Sequence, residues 1–269
     1  MPGVVASLLR AGSLVGRVAG VVAGVMAGVM GGLIGGLIGG STASAAMAPL
    51  LLDGGLGPGW RQVNLPQQKP PVTLYSVEPL AAGPLTPAGA TTQLKVDVRG
   101  SYGNLVLDLP RVGAPATLSW AWRLQQANPA IDLGRKEGDD LPLKVCLSFD
   151  LALDQVPFIE RQLLRLARSR SAEALPAATL CWVWAGAEAK GALIDNPYTR
   201  RVRYIVLRQQ TEAGEQWFNE TRDVEADFKR AFGDESATMP PVTALIVAGD
   251  GDNTQARSLA WLTALRWGP

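Results

Sequence analysis

From Thr92 onward the chain is cut into short segments in which apolar and polar residues alternate, each closed by turn residues. They run Thr92 to Val98, Asn104 to Leu109, Ala116 to Leu124, Leu141 to Phe149, Thr179 to Trp184, Val202 to Arg208, Gln216 to Arg222, Val242 to Ala248 and Arg257 to Trp267. A period of two places alternate side chains on opposite faces of a strand. The pattern is clearest where Leu118, Trp120, Trp122 and Leu124 alternate with Thr117, Ser119, Ala121 and Arg123, one apolar face against one mixed. Asn-Pro, Gly-Asp and Asp-Asn pairs punctuate the segments, as turns require. Many short strands with few helices predict an all-β chain, a β-sandwich over 92–269. Before it, residues 46–91 form a proline- and glycine-rich lead-in, with one edge strand expected at Val72 to Val77.

Two stretches break the β pattern. Phe158 to Ala172 sets Ile159, Leu163 and Leu166 on one side and Arg161, Arg165 and Arg168 on another, the spacing of an amphipathic helix. Its arginine stripe suits either a solvated surface face or contact with anionic lipid or an acidic glycan. Val224 to Phe232 follows Asp223, a good N-cap, and stops at Gly233.

Residues 1–45 carry a different message. Val18 to Leu52 contains no charge, follows Arg10 and Arg17, and includes Ala43-Ser44-Ala45, the parts of a secretory leader cleaved after Ala45. The apolar run is long for a leader and approaches the roughly 20 residues that span a bilayer. The repeated Gly-Gly-Leu-Ile unit of residues 31–40 also resembles a close-packing membrane face. The expectation is therefore a periplasmic or secreted protein, or one held at the inner membrane by residues 18–40. Membrane contact is expected through this segment if it is retained.

Composition narrows the function classes. A net charge of +1 and a pI near 7.7 supply no concentrated basic face, so nucleic acid is not an expected partner. The chain has no histidine, which lowers the standing of the usual hydrolase triads and of histidine-bound zinc. Cys146 and Cys181, both in strand-like segments, suit a disulfide in an oxidising compartment or a pair of separate buried thiols.

Three polar clusters are the candidate ligand-binding groups. Lys136 with Asp139 and Asp140 precedes an apolar strand and so stands at a sheet rim, serving a ligand or capping a turn. Glu220, Arg222 and Asp223 suit an ion-pair network or recognition of sugar hydroxyls. In Asp250-Gly251-Asp252-Asn253-Thr254, the oxygens of Asp250, Asp252 and Asn253 are of the type that calcium prefers. The loop lacks the closing glutamate of an EF-hand and equally reads as a tight turn. No cofactor is demanded; calcium is the ion the loop would suit. Of eight tryptophans, Trp120, Trp122, Trp182 and Trp184 read as core, while Trp60 and Trp217 are candidates for exposure and for stacking on a sugar.

Taken in order, Leu118-Ser119-Trp120-Ala121-Trp122, Lys136-x-Gly138-Asp139-Asp140, Phe149-Asp150, Trp182-Val183-Trp184, Asn196-Pro197-Tyr198-Thr199, Glu220-Thr221-Arg222-Asp223-Val224 with Asp227 and Phe232-Gly233, and Asp250-Gly251-Asp252-Asn253-Thr254 form a recognisable set. From about Trp60 to Trp267 the chain resembles a bacterial secreted family known as domain of unknown function 3047. The resemblance implies a jelly-roll or galactose-binding-like sandwich of the kind found in carbohydrate-binding modules, and no established activity. The arginine-bearing helix after Asp150 and Leu141-Pro142 after the acidic pair depart from the family pattern. The functional expectation is non-catalytic binding of a glycan or other envelope component. The alternatives are a carboxylate-dependent glycan-acting enzyme, with its acid and base drawn from Asp139, Asp140, Glu220 and Asp223, or a structural, membrane-anchored envelope protein.

Overall fold

The computed structural model describes residues 56–268 apart from 58, 66, 67, 69, 70, 114 and 171–174. The stretch expected to be a leader, the expected cleavage after Ala45 and the glycine repeat lie outside the described residues. Strands β1 (Trp60–Val63), β2 (Leu74–Pro79), β3 (Thr92–Arg99), β4 (Asn104–Val112), β5 (Thr117–Gln126), β6 (Leu143–Phe149), β7 (Ala178–Ala185), β8 (Leu193–Asn196), β9 (Thr199–Gln209), β10 (Phe218–Asp223), β11 (Val242–Ala248) and β12 (Arg257–Gly268) are joined by helices α1 (Phe158–Arg170) and α2 (Val224–Phe232). One sheet has the order β1-β4-β11-β6-β7-β9-β8 and the other β10-β5-β12-β3-β2. Neighbours are antiparallel except β7 and β9, which run parallel. The chain is the all-β sandwich that the alternation predicted.

Between the sheets the alternating tryptophans meet. Trp120 and Trp122 of β5 lie opposite Trp182 and Trp184 of β7, each facing pair with ring centroids 5.6 Å apart. All four are buried. Edge-on and tilted contacts of this kind add to the burial of large apolar areas. Helix α2 starts on Asp223, whose carboxylate accepts the Ala226 N–H at 2.9 Å. It packs Phe228 against Phe149, with ring centroids 4.8 Å apart.

β6 and β7 are buried along their whole length, so both sheet faces are covered there. The inward face of β6 carries Leu143, Val145 and Leu147. Its outward face carries Lys144, Cys146 and Ser148, as the register with β7 shows. Cys146 and Cys181 stand directly opposite in that register and form a disulfide with Cα atoms 4.0 Å apart.

Three local expectations need correction. β1 and β8 were not foreseen: each is four residues long, too short for alternation to register. β2 begins two residues later than predicted and ends on Pro79, which an edge strand tolerates. Helix α1 forms as the periodicity predicts, but the side that turns inward is Leu164 with Ala167, whereas Ile159, Leu163 and Leu166 are exposed.

Candidate functional site

Three separate stretches of chain meet over the outward face of the seven-stranded sheet, the face that carries Lys144 and Tyr204. The first is a single helical turn at Lys136–Gly138 leading into Asp139 and Asp140. Gly138 is required by space, because a Cβ there would stand 2.8 Å from the backbone N and O of Asp132. The second is the tight connection from β8 to β9, where the Asn196 side-chain oxygen accepts the N–H groups of Tyr198 and Thr199 at 2.9 and 3.1 Å. The third is the loop after β11, Asp250 to Thr254.

Asp140 ties the first stretch to the third. Its carboxylate accepts from the Asn253 and Thr254 N–H groups at 3.1 and 2.6 Å and from the Thr254 hydroxyl at 2.5 Å. Asp139 ties the first to the second: the Asn196 amide donates to it at 2.6 Å and the Tyr204 hydroxyl at 3.1 Å. Tyr198 closes the triangle, its single hydroxyl proton shared between Asn253 Oδ1 at 2.9 Å and the Lys136 carbonyl at 3.0 Å. The Lys136 ammonium lies 5.4 Å from the centre of the Tyr198 ring. A small recess of about 20 Å³ among these segments is lined by Leu65, Tyr102, Asp139, Tyr198, Asp250, Asp252 and Asn253.

Beneath the recess, Lys144 projects from the outward face of β6 into a buried pair with Asp250, Nζ to Oδ2 at 2.7 Å. Asp250 also accepts the Leu141 N–H at 2.8 Å. Burial is the largest single influence and works to strip the proton from Lys144, but the charge and hydrogen bond of Asp250, together with the charges of Asp139 and Asp140, outweigh it and raise the ammonium above its ordinary value. Burial first, and then the charge of Asp250, pushes the Asp139 carboxyl up to about 7, against the opposing pull of Lys144, Tyr204 and Asn196. The recess wall therefore holds an acid that gains and loses its proton near neutrality.

That shift has a consequence for stability. The unfolded chain releases this proton near the ordinary value of 3.8 and the folded chain near 7. Between those values the folded state holds more protons, so stability falls as pH rises. The contribution is complete below about pH 4 and is lost above about pH 7. For Asp139→Asn, whose neutral amide stands in for the protonated acid, the expected result is the loss of this decline. The gap between wild type and variant should change by about 2 kcal/mol from pH 5 to pH 7, as followed by denaturant unfolding. Parallel curves for the two proteins would show that Asp139 ionises like an exposed carboxyl.

The remaining candidates lie elsewhere. Glu220, Arg222 and Asp223 are on β10, at the edge of the five-stranded sheet, and none lines the recess. Glu220 accepts from Arg208 Nε at 2.7 Å and Trp122 Nε1 at 3.0 Å. Arg222 forms a two-point pair with Asp227 at 2.8 and 2.7 Å, and Asp227 also takes the Trp182 Nε1–H at 2.7 Å. Asp223 is spent on the α2 cap. This second cluster anchors the tryptophan core and the start of α2. Trp217 is half-buried with the Arg123 guanidinium 5.4 Å from its ring, away from the recess, and Trp60 is half-buried and packs against the core through β1.

Two of the three side chains that would suit calcium are engaged with the protein. Asp250 points inward to Lys144, and the Asn253 side-chain oxygen is taken by Tyr198. Among the described residues no group of three or more Asp, Glu, His or Cys side chains is placed to hold a metal ion. Sequence reasoning did not single out Lys144, Tyr204 or Tyr102. For Lys144 a signal existed: a lysine inside Leu143-Lys144-Val145-Cys146 interrupts a buried strand, and a buried ammonium needs a carboxylate partner.

A family profile described as "Protein of unknown function (DUF3047)" matches residues 58–266. The chain belongs to the DUF3047 family. The segments that converge on the recess all fall inside the matched region. No curated protein matches this DUF3047 chain. Among solved structures it is similar to endoglucanase 3 of Trichoderma harzianum, from family GH12, at 10% identity over 79% of this chain and 90% of that one, with a TM-score of 0.40. It is similar also to the xyloglucanase domain of NopAA, a type three effector from Sinorhizobium fredii, at 8% identity over 77% and 92% of the two chains, with a TM-score of 0.35. A third likeness is to the enzymatically active domain of tailspike protein 4 of bacteriophage CBA120, at 8% identity and a TM-score of 0.34. It covers 78% of this chain and only 19% of that one.

Proposed function

We propose that this is an exported envelope protein that binds a glycan or other envelope component without transforming it, with a single hydroxyl of the ligand entering the small recess. The carrying observation is the convergence of three distant segments on one small recess lined by Tyr102, Tyr198, Asp139, Asp252 and Asn253. Aromatic faces beside carboxylate, amide and phenol groups are the chemistry that recognises a sugar's apolar face and its hydroxyls together. The leader-like sequence and the disulfide support export, since such bonds persist in oxidising compartments. Calorimetric titration with fragments of envelope polysaccharides tests the reading. Binding is expected, and Tyr198→Ala or Asp252→Ala should each weaken it about tenfold, close to 1.4 kcal/mol. A folded protein that binds none of the fragments would end this proposal.

One observation favours a second reading, a carboxylate-dependent glycan-acting enzyme. An acid titrating near 7 is matched to proton donation at neutral pH, and Asp252 is a second carboxylate at the same recess. Release of reducing ends from an envelope glycan, abolished in Asp139→Asn, would establish it. Binding without any release would leave the non-catalytic reading standing.

A further inference from the structure

Helix α1 presents its apolar side to solvent. Phe158, Ile159, Leu163 and Leu166 are 66%, 70%, 57% and 44% exposed, whereas Leu164 is 5% exposed. The stripe borders a cavity of about 300 Å³ whose helix side is apolar, with Leu163, Leu164, Leu166 and Ala167, and whose far side is the more polar stretch 196–201, so the apolar surface continues beneath the helix. A contiguous exposed apolar surface of this kind marks an interaction site. Charge narrows the partner. The helix carries Arg161, Arg165, Arg168 and Arg170 against a single acid, Glu160. Glu160 turns to the buried Arg201, 3.7 Å away. Arg165 is exposed, and the Arg161 guanidinium lies 5.7 Å from the Phe158 ring at the border of the stripe.

We propose that α1 docks the protein on an anionic phospholipid bilayer, with Ile159, Leu163 and Leu166 entering the acyl boundary and Arg161 and Arg165 meeting the headgroups. An interfacial helix needs an apolar face with arginine or lysine on its flanks, and it lies in the membrane plane without spanning it. Among the described residues no helix is long and apolar enough to cross a membrane. A second copy is a poorer occupant, because a two-fold contact through this face would set arginines against arginines. The chain's own residues 18–52 are uncharged and offer those arginines no counter-charge.

The test is amide hydrogen exchange on the full chain, read over residues 158–170, with vesicles of phosphatidylcholine alone or mixed equally with phosphatidylglycerol. Slower exchange of α1 on the anionic vesicles only is the expected result. Ile159→Ser with Leu163→Ser should abolish that protection while β6 and β11 exchange as before. Arg161→Gln and Arg165→Gln should each weaken vesicle affinity by about fivefold. Three results would overturn the proposal. The first is sedimentation of the chain with vesicles while exchange over 158–170 stays unchanged, which would assign the binding to residues outside α1. Protection of α1 without vesicles that is lost on dilution would reveal a second copy. Protection without vesicles that dilution does not relieve would show the face covered by the chain itself.

Discussion

Lys144→Met is expected to cost 3 to 5 kcal/mol of folding stability, on the order expected when one partner of a buried ion pair is removed. The ammonium is 2% and the Asp250 carboxylate 7% exposed, so neither has water to fall back on. Removing Lys144 leaves Asp250 with the Leu141 N–H and with Asp139 and Asp140 nearby as like charges. A natural domain has about 5 to 15 kcal/mol in total, so the variant sits near the threshold of folding. Adding Asp250→Asn should return much of the loss, because a neutral amide still accepts from Leu141 and no longer requires a cation. Urea unfolding at pH 7 of the single and double variants reads both effects. If Lys144→Met loses less than 1 kcal/mol, the pair is solvated in solution. If the double variant is no more stable than Lys144→Met, the damage is a packing defect and not an unpaired charge.

The second large effect concerns the disulfide. Cys146 and Cys181 are separated by 35 positions, a loop that includes α1, and cross-linking it removes chain entropy from the unfolded state worth roughly 4 kcal/mol. Cys146→Ala with Cys181→Ala is expected to lower the unfolding free energy by 2 to 5 kcal/mol. Wild type treated with a strong reductant should fall similarly once the bond opens. The bond links adjacent strands already held by ladder hydrogen bonds, so the folded structure itself should change little. Equal unfolding curves for oxidised wild type and the double alanine variant would mean that the bond contributes nothing beyond the packing of two small side chains.

Features governed by near neighbours in sequence were legible without coordinates. Val242 to Ala248 was placed to the residue, and α2 was placed between its cap at Asp223 and its stop at Gly233, because the signals lie within a few residues of the ends they mark. Alternation in Leu118-Ser119-Trp120-Ala121-Trp122 sufficed to send both tryptophans into the core. The same logic placed α1 but not its burial. A helical period identifies an apolar side, but not whether the rest of the protein covers it, and here the covered residue was Leu164.

For the site, sequence supplied the residue types and their turn-rich setting but not their partners. Asp140 and Thr254 lie 114 positions apart, and Lys144 and Asp250 lie 106 apart. No local pattern records which acids face inward to a lysine and which face a recess. Pairing at that distance depends on strand order: β11 lies beside β6, which delivers Asp250 to Lys144 and the following loop to Asp140. The sequence by itself determined the all-β class, most strand positions and the capped helix, because these follow from periodicity and short-range hydrogen bonding. Only the tertiary structure decided that Asp139 and the Asp250 to Thr254 loop share one recess, that Glu220 and Arg222 belong to a core anchor instead, and that α1 turns Ile159, Leu163 and Leu166 outward while burying Leu164. Each of those outcomes depends on contacts between segments far apart in the chain, and burial and electrostatics are set by those contacts.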